Sequence, residues 1–131
     1  MAKDLRGDFE IVGLVNHRQA AVGAAPSDLD FDPDYIRTSA LSQEAAGYDR
    51  VLIANAATMP ESFAIGSYLS SVTTDLGFMM AHRPGFVPPT MAARHLATID
   101  RLSEGRAAVH IIVGADDREV QADGAFNTKD Q

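Results

Sequence analysis

Four short apolar runs alternate with longer amphipathic stretches along the chain. Phe9 to Asn16 (FEIVGLVN) is short and rich in β-branched residues and reads as a buried strand. Asp49 to Asn55 (DRVLIAN), Leu76 to Ala81 (LGFMMA) and Ala107 to Gly114 (AAVHIIVG) read the same way. Between them lie three helices. Asp32-Pro33 opens the first as N-cap and first-turn proline, and Gly47 closes it. Pro60 begins the second, whose Ile65, Tyr68, Leu69 and Val72 fall on one face. Pro88-Pro89 leads the third, with Ala92, Leu96, Ile99 and Leu102 as its apolar stripe and Gly105 at its end. The connection from His17 to Phe31, with Gly23 and Pro26, is about 15 residues, longer than most. From Ala115 to Gln131 the chain turns polar and acidic, with Phe126 as its one large apolar side chain, and reads as loop or tail.

Alternating strands and helices predict parallel βαβ units with strands buried on both faces. Two architectures share that pattern, an open doubly wound sheet and part of a (β/α)8 barrel, and periodicity does not separate them. The turn after the first strand, NHRQAAVG, carries neither a G-x-G-x-x-G fingerprint nor a P-loop.

Composition narrows the class. With 131 residues the chain is sized for one modest domain. It has no cysteine, which excludes disulfides, thiolate metal sites and cysteine nucleophiles. The net charge of −7 argues against nucleic acid, which needs a basic patch. No apolar run approaches the ~20 residues of a membrane helix, and Met1 to Asp8 lacks the apolar stretch of a secretory signal, so a soluble, cytoplasmic protein is expected.

In parallel α/β folds the chemistry gathers at the C-terminal ends of the strands. Those ends carry Asn16, His17 and Arg18; Asn55, Thr58 and Met59; Ala81, His82 and Arg83; and Val113, Gly114, Asp116 and Asp117. His110 interrupts an apolar strand, either as a core histidine bonded to a neighbouring strand or as a ligand contact in a barrel mouth. His82-Arg83 and His17-Arg18 read as solvated loop pairs or as anion and ring recognition. Asp116-Asp117 reads as a solvated turn, with cation binding as the alternative, and His95 as a helix-surface residue. Ser103 and Gly105 belong to a helix cap and turn.

AHRPGFVPPTMAARHLATIDRLSEGRAAVHIIVG (81–114) strongly resembles the bacterial luciferase-like flavin-dependent monooxygenases, most of all the alkanesulfonate monooxygenase branch. The matching elements are Arg83-Pro84-Gly85, Pro89 with Ala93-Arg94, Ala97 to Arg106, and Gly114. FDPDYIRTSALSQEAAG and GYDRVLIAN fit the family's first helix and second strand. The resemblance implies the N-terminal half of a (β/α)8 TIM barrel, with about four parallel strands and three helices. It implies reduced FMN (FMNH2) with O2 as co-substrate, a flavin C4a-peroxide, and oxygenation of a small, possibly organosulfur, substrate. A separate NAD(P)H:FMN reductase would supply the reduced flavin. Carried onto this chain, the cofactor-binding positions are Asn55, Ala81, His82, His110 and Val113, and the catalytic candidates are His82 and His110. Asn55 stands where relatives often carry Asp, His110 where they often carry Asn, and Val113 where a polar Thr or Arg contact is lost. Ala81 offers only backbone, and a non-prolyl cis peptide would fall at Met80-Ala81. Met59 replaces the cysteine of some alkanesulfonate enzymes.

A complete barrel takes ~250 residues, about twice this chain. Four strands without closure leave two raw edges, so either a homo-oligomer or a partner covering them is expected. The alternatives carried forward are a non-catalytic luciferase-like half-domain that binds flavin or another chain, and an unrelated doubly wound binding domain.

Overall fold

The computed structural model describes residues 9–18, 31–114 and 117–124. Met1 to Asp8, most of the long connection with Gly23 and Pro26, Asp116, and the tail from Ala125 with Phe126 lie outside the described residues. The order is β1 (Val12–Val15), α1 (Pro33–Ala45), β2 (Arg50–Ile53), α2 (Ser62–Val72), β3 (Gly77–His82), α3 (Pro89–Leu102), β4 (Ala107–Ile111) and α4 (Asp117–Ala122). All four strands are parallel, in the order β1-β2-β3-β4. That order contains no reversal, so there is no topological switch point of the doubly wound kind.

One sheet face carries the core. Val15, Val51, Ile53, Phe78 and Met80 point to it and pack with Ile36 and Ala40 of α1, Phe63, Ile65 and Leu69 of α2, and Ile99 of α3. Close approach is bought with small residues. A Cβ at Gly66 would overlap Met80 Sδ, and one at Gly13 would overlap Gln43 Oε1. Gln43 Nε2 donates to the Leu14 carbonyl at 3.1 Å, fixing α1 on β1. Three helices on one face of a sequentially ordered parallel sheet is the curl of a barrel wall.

The opposite face corrects the expectation of strands buried on both sides. By alternation it carries Val12 and Leu14 of β1, Leu52 of β2, Met79 and Ala81 of β3, and Ala108 and His110 of β4. Val12, Leu14 and His110 are exposed, while Ala81 in the sheet centre is buried. On the edge strand β4 even the helix-side residues Val109 and Ile111 are exposed. The both-faces rule assumes a cover on each side, and these four strands have one.

The ladders end earlier than the apolar runs, so β1, β2 and β4 are shorter than 9–16, 49–55 and 107–114, while β3 gains His82. The second helix starts at Ser62 instead of Pro60, because the Glu61 carboxylate accepts from Phe63 N–H (2.9 Å) and Ala64 N–H (2.8 Å) as its cap. Asp32 caps α1 through Tyr35 N–H at 2.9 Å, as expected. Part of the expected acidic tail is helical: Asp117 and Glu119 occupy the first turn of α4, where carboxylates favour the helix dipole. Among the described residues there is no cis peptide bond, so Met80-Ala81 is trans; Ala81 continues the extended ladder in register with His110. Among them, too, no helix is long and apolar enough to cross a membrane.

Two side chains fasten the N-terminal end of the sheet. Arg106 donates to Ser103 O (2.9 Å), Thr73 Oγ1 (2.7 Å), Leu76 O (2.9 Å) and Ser70 O (3.0 Å). The Glu44 carboxylate accepts from the N–H groups of Thr74, Asp75 and Leu76 at 2.8, 2.7 and 2.9 Å. Burial alone would raise the Glu44 carboxyl, but these donors and Arg106 outweigh it and hold the group below its ordinary value. A depressed folded value means the contribution to stability is complete above the unfolded carboxyl value and is lost as pH falls through the folded one. Glu44→Gln is therefore expected to lower stability by about 2 kcal/mol at neutral pH, the scale of hydrogen bonds to a charged group. The same urea series run toward acid should show the difference from wild type closing.

Candidate functional site

The C-terminal ends of β2, β3 and β4 open onto a cleft of about 440 Å³ lined by Asn55, Arg83, Ile111, Ile112, Val113, Gly114 and Glu119. Its shape follows from the strand ends. Asn55 lies two residues past β2 and Arg83 one residue past β3. After β4 the chain turns at Gly114, where φ is +96°. A Cβ at Gly114 would stand 2.9 Å from Val120 Cγ2 and 3.3 Å from Arg83 Nε, so the position needs glycine both for its backbone and for its space.

Arg83 is the centre of this end. It is 4% exposed, against the expectation of a solvated loop residue. Its Nη2 bonds Glu119, its Nη1 bonds Asp123 at 2.6 Å, and its guanidinium lies 5.4 Å from the Phe86 ring centroid. The Nε–H, buried against Gly114, has no acceptor among the described residues. α4 is thereby held over the mouth. Sequence reading missed this trio; the available signal was a lone Arg after β3 facing an acidic segment after β4.

The predicted site residues fall into three groups. Asn55 and Val113 line the cleft, with Val113 82% exposed. Ala81 and His110 are register partners on the open, barrel-interior face, just below Arg83 by alternation. His110 is exposed there, so it is not a satisfied core histidine. His82 takes the other face, its ring stacked on Phe63 of α2 at 5.1 Å, while His95 of α3 meets Phe63 edge-on at 5.8 Å. The structure thus joins Ala81 to His110 and does not bring His82 to that face. Ser62 Oγ, fully buried, donates to the Ala81 carbonyl at 2.7 Å, a contact that pins the end of β3 and that sequence reading did not find. Asn16, His17 and Met59 line a separate small cavity of about 20 Å³ between the ends of β1 and β2. Ser103 and Gly105 form the expected cap and turn, with Gly105 at φ +85°.

Residues 10–131 match the luciferase-like monooxygenase family. The chain belongs to that family. Solved structures share the fold. A riboflavin lyase (RcaE), determined with modified FMN and riboflavin, superimposes with a TM-score of 0.70 at 22% identity, covering 88% of this chain and 32% of its own. EDTA monooxygenase (EmoA) from Chelativorans sp. BNC1 gives 0.68 at 17% identity, covering 92% and 34%. The coenzyme F420-dependent tetrahydromethanopterin reductase from Methanopyrus kandleri gives 0.68 at 20%, covering 92% and 31%. The chain therefore spans about a third of the length of the structures it matches, and contributes four strands of the luciferase-like α/β barrel fold. In luciferase-like terms the cleft lies at the barrel's C-terminal mouth. Its volume falls in the ~300–1,000 Å³ range of small-molecule and cofactor sites. The Asn55 amide, a donor and acceptor beside the apolar wall of Ile112 and Val113, suits one edge of a planar heteroaromatic ring.

Proposed function

We propose that this chain is part of a flavin-dependent monooxygenase that takes reduced FMN and O2 and oxygenates a small organic substrate. The observation that carries the reading is a ring-sized cleft at the C-terminal strand ends of a luciferase-like chain, lined by Asn55 and an apolar wall. When bound, reduced FMN supplies the electrons that let one oxygen atom of O2 enter the substrate while the other leaves as water. The chain's own residues hold and shield. Asn55 hydrogen-bonds the ring edge, and Ile112 and Val113 exclude water from one side. His110, exposed beside Ala81, donates or accepts at the interior face. Reduced flavin comes from a separate NAD(P)H:FMN reductase, and organosulfur compounds are the first substrates to try. The exposed apolar edges of β1 and β4 favour a second reading, a non-catalytic flavin-binding unit that associates with another chain.

Anaerobic titration of the 131-residue chain with reduced FMN tests the reading. Saturable binding is expected, weakened at least fivefold by Asn55→Ala and by His110→Ala with an unchanged melting temperature. Equal affinity in wild type and both variants would remove these residues from the site.

A further inference from the structure

We propose that Arg83 is a positioning residue for the cleft. It fixes the turn after β4, and with it the wall at Val113, by holding α4 against that turn, so that docking of α4 and occupancy of the cleft are coupled. The proposal deepens the flavin reading and rests on it only for the identity of the occupant.

The wall of the cleft runs past the end of the sheet. Among the described residues, the last backbone bond from this segment to β3 is Ile112 N–H to the His82 carbonyl, at 2.9 Å. Val113 and Gly114 lie beyond it, and both line the cleft. Val113 is exposed, so its own packing does little to hold it. The turn is set from the other side. The room a Cβ would need at Gly114 is closed by Val120 Cγ2 of α4 and by Arg83 Nε, so the bend lies against α4 and the guanidinium together. Arg83 connects the pieces. Its backbone follows β3 directly, its Nη2 bonds Glu119 in α4, and its Nη1 bonds Asp123 just past α4. One buried side chain thus spans the end of β3, the turn after β4 and α4. Stability alone would not select this arrangement. The Nε–H has no acceptor among the described residues, and a buried charged donor without one costs free energy. α4 buries no residue and adds nothing to the core. What the brace provides is a fixed surface, and a ligand binds best to side chains whose supports already hold them in place. A turn that must instead become ordered on binding loses entropy at that moment, and affinity falls. By linkage, an occupant resting on Val113 and Gly114 steadies α4 by the same factor.

Three measurements on the 131-residue chain test this. Without ligand, Arg83→Met is expected to lower the backbone order parameters of Val113 and Gly114 from about 0.85 to below about 0.6, with Ile53 and Met80 unchanged. With reduced FMN added anaerobically, Arg83→Met is expected to bind at least tenfold more weakly than wild type. Arg83→Lys keeps the charge but not the fork and should bind with intermediate affinity. In wild type, saturating reduced FMN should slow amide exchange across α4 by the factor by which Arg83→Met weakens binding. A side chain that served stability alone would move the melting temperature and leave α4 exchange indifferent to the ligand. Should Arg83→Met not fold, Asp123→Asn, which leaves Arg83 in place, must shift the same quantities in the same direction. Val113 and Gly114 as rigid in the variant as in wild type would overturn the proposal. So would equal affinity of variant and wild type for reduced FMN, or α4 exchange unmoved by a ligand that binds. A wild-type chain that binds no reduced FMN removes the flavin reading, and the ligand-free order parameters then judge Arg83 by themselves.

Discussion

Replacing Arg106 with alanine is expected to destabilise the fold by about 3 kcal/mol, the scale of losing several hydrogen bonds to one charged group. Four acceptors converge on this guanidinium from three places: the end of α2 with its cap Thr73, the approach to β3 at Leu76, and the end of α3 at Ser103. It also lies 5.5 Å from the Phe78 ring centroid, under the core. Three of the acceptors, Ser70, Thr73 and Leu76, lie 36, 33 and 30 residues earlier, so the side chain ties α2 and β3 to the α3–β4 turn. Domain stabilities run to only ~5–15 kcal/mol, so this one change removes a large share. Arg106→Lys keeps the charge but not the fork, and should recover less than half of the loss. The urea midpoint at constant slope reads both; a loss under about 1 kcal/mol for alanine would show that water replaces the clamp.

Arg83→Met is expected to act differently, by releasing α4 while leaving the core intact. α4 has six residues, none buried, and a helix that short does not hold itself together in water. Among the contacts that hold it are the two carboxylates on Arg83, and Val120 lies close enough to Gly114 that a Cβ there would crowd it. Once freed, Glu119 and Asp123 can turn to solvent, so no uncompensated buried charge remains, and methionine fills part of the vacated space. Amide exchange across residues 117–122 should accelerate at least thirtyfold, which corresponds to ~2 kcal/mol of local opening. The thermal midpoint should move little. A global collapse in stability would place Arg83 in the core's energetics and not in the attachment of α4.

These two arginines show where sequence reading reaches and where it stops. Period and punctuation located every strand and three helices, because Phe78 and Met80, or Ile65 and Leu69, announce their shared faces locally. Asp32 announced its cap the same way. The residues that were missed act over distance. Arg83 meets Asp123 forty positions later, and Glu44 meets Leu76 thirty-two positions later. α4 lacks an apolar stripe, so nothing within its six residues distinguishes it from a polar tail. The alternation rule could pair Ala81 with His110 once the register was known. Without it, His82 was grouped with them, although its one-residue offset sends it to Phe63. The S-E-G-R stretch marked the family, but its arginine braces the end of the sheet opposite the cleft.

The central claim is that the C-terminal mouth of this four-strand unit is a flavin site. The most direct test is to map amide shifts on anaerobic addition of reduced FMN to the 131-residue chain. The account predicts saturable changes concentrated at Asn55, Ala81, His110, Val113 and Gly114, with Ser70, Leu76 and Ser103 at the opposite end unmoved. Changes centred on that opposite end, or none at millimolar reduced FMN, would contradict it.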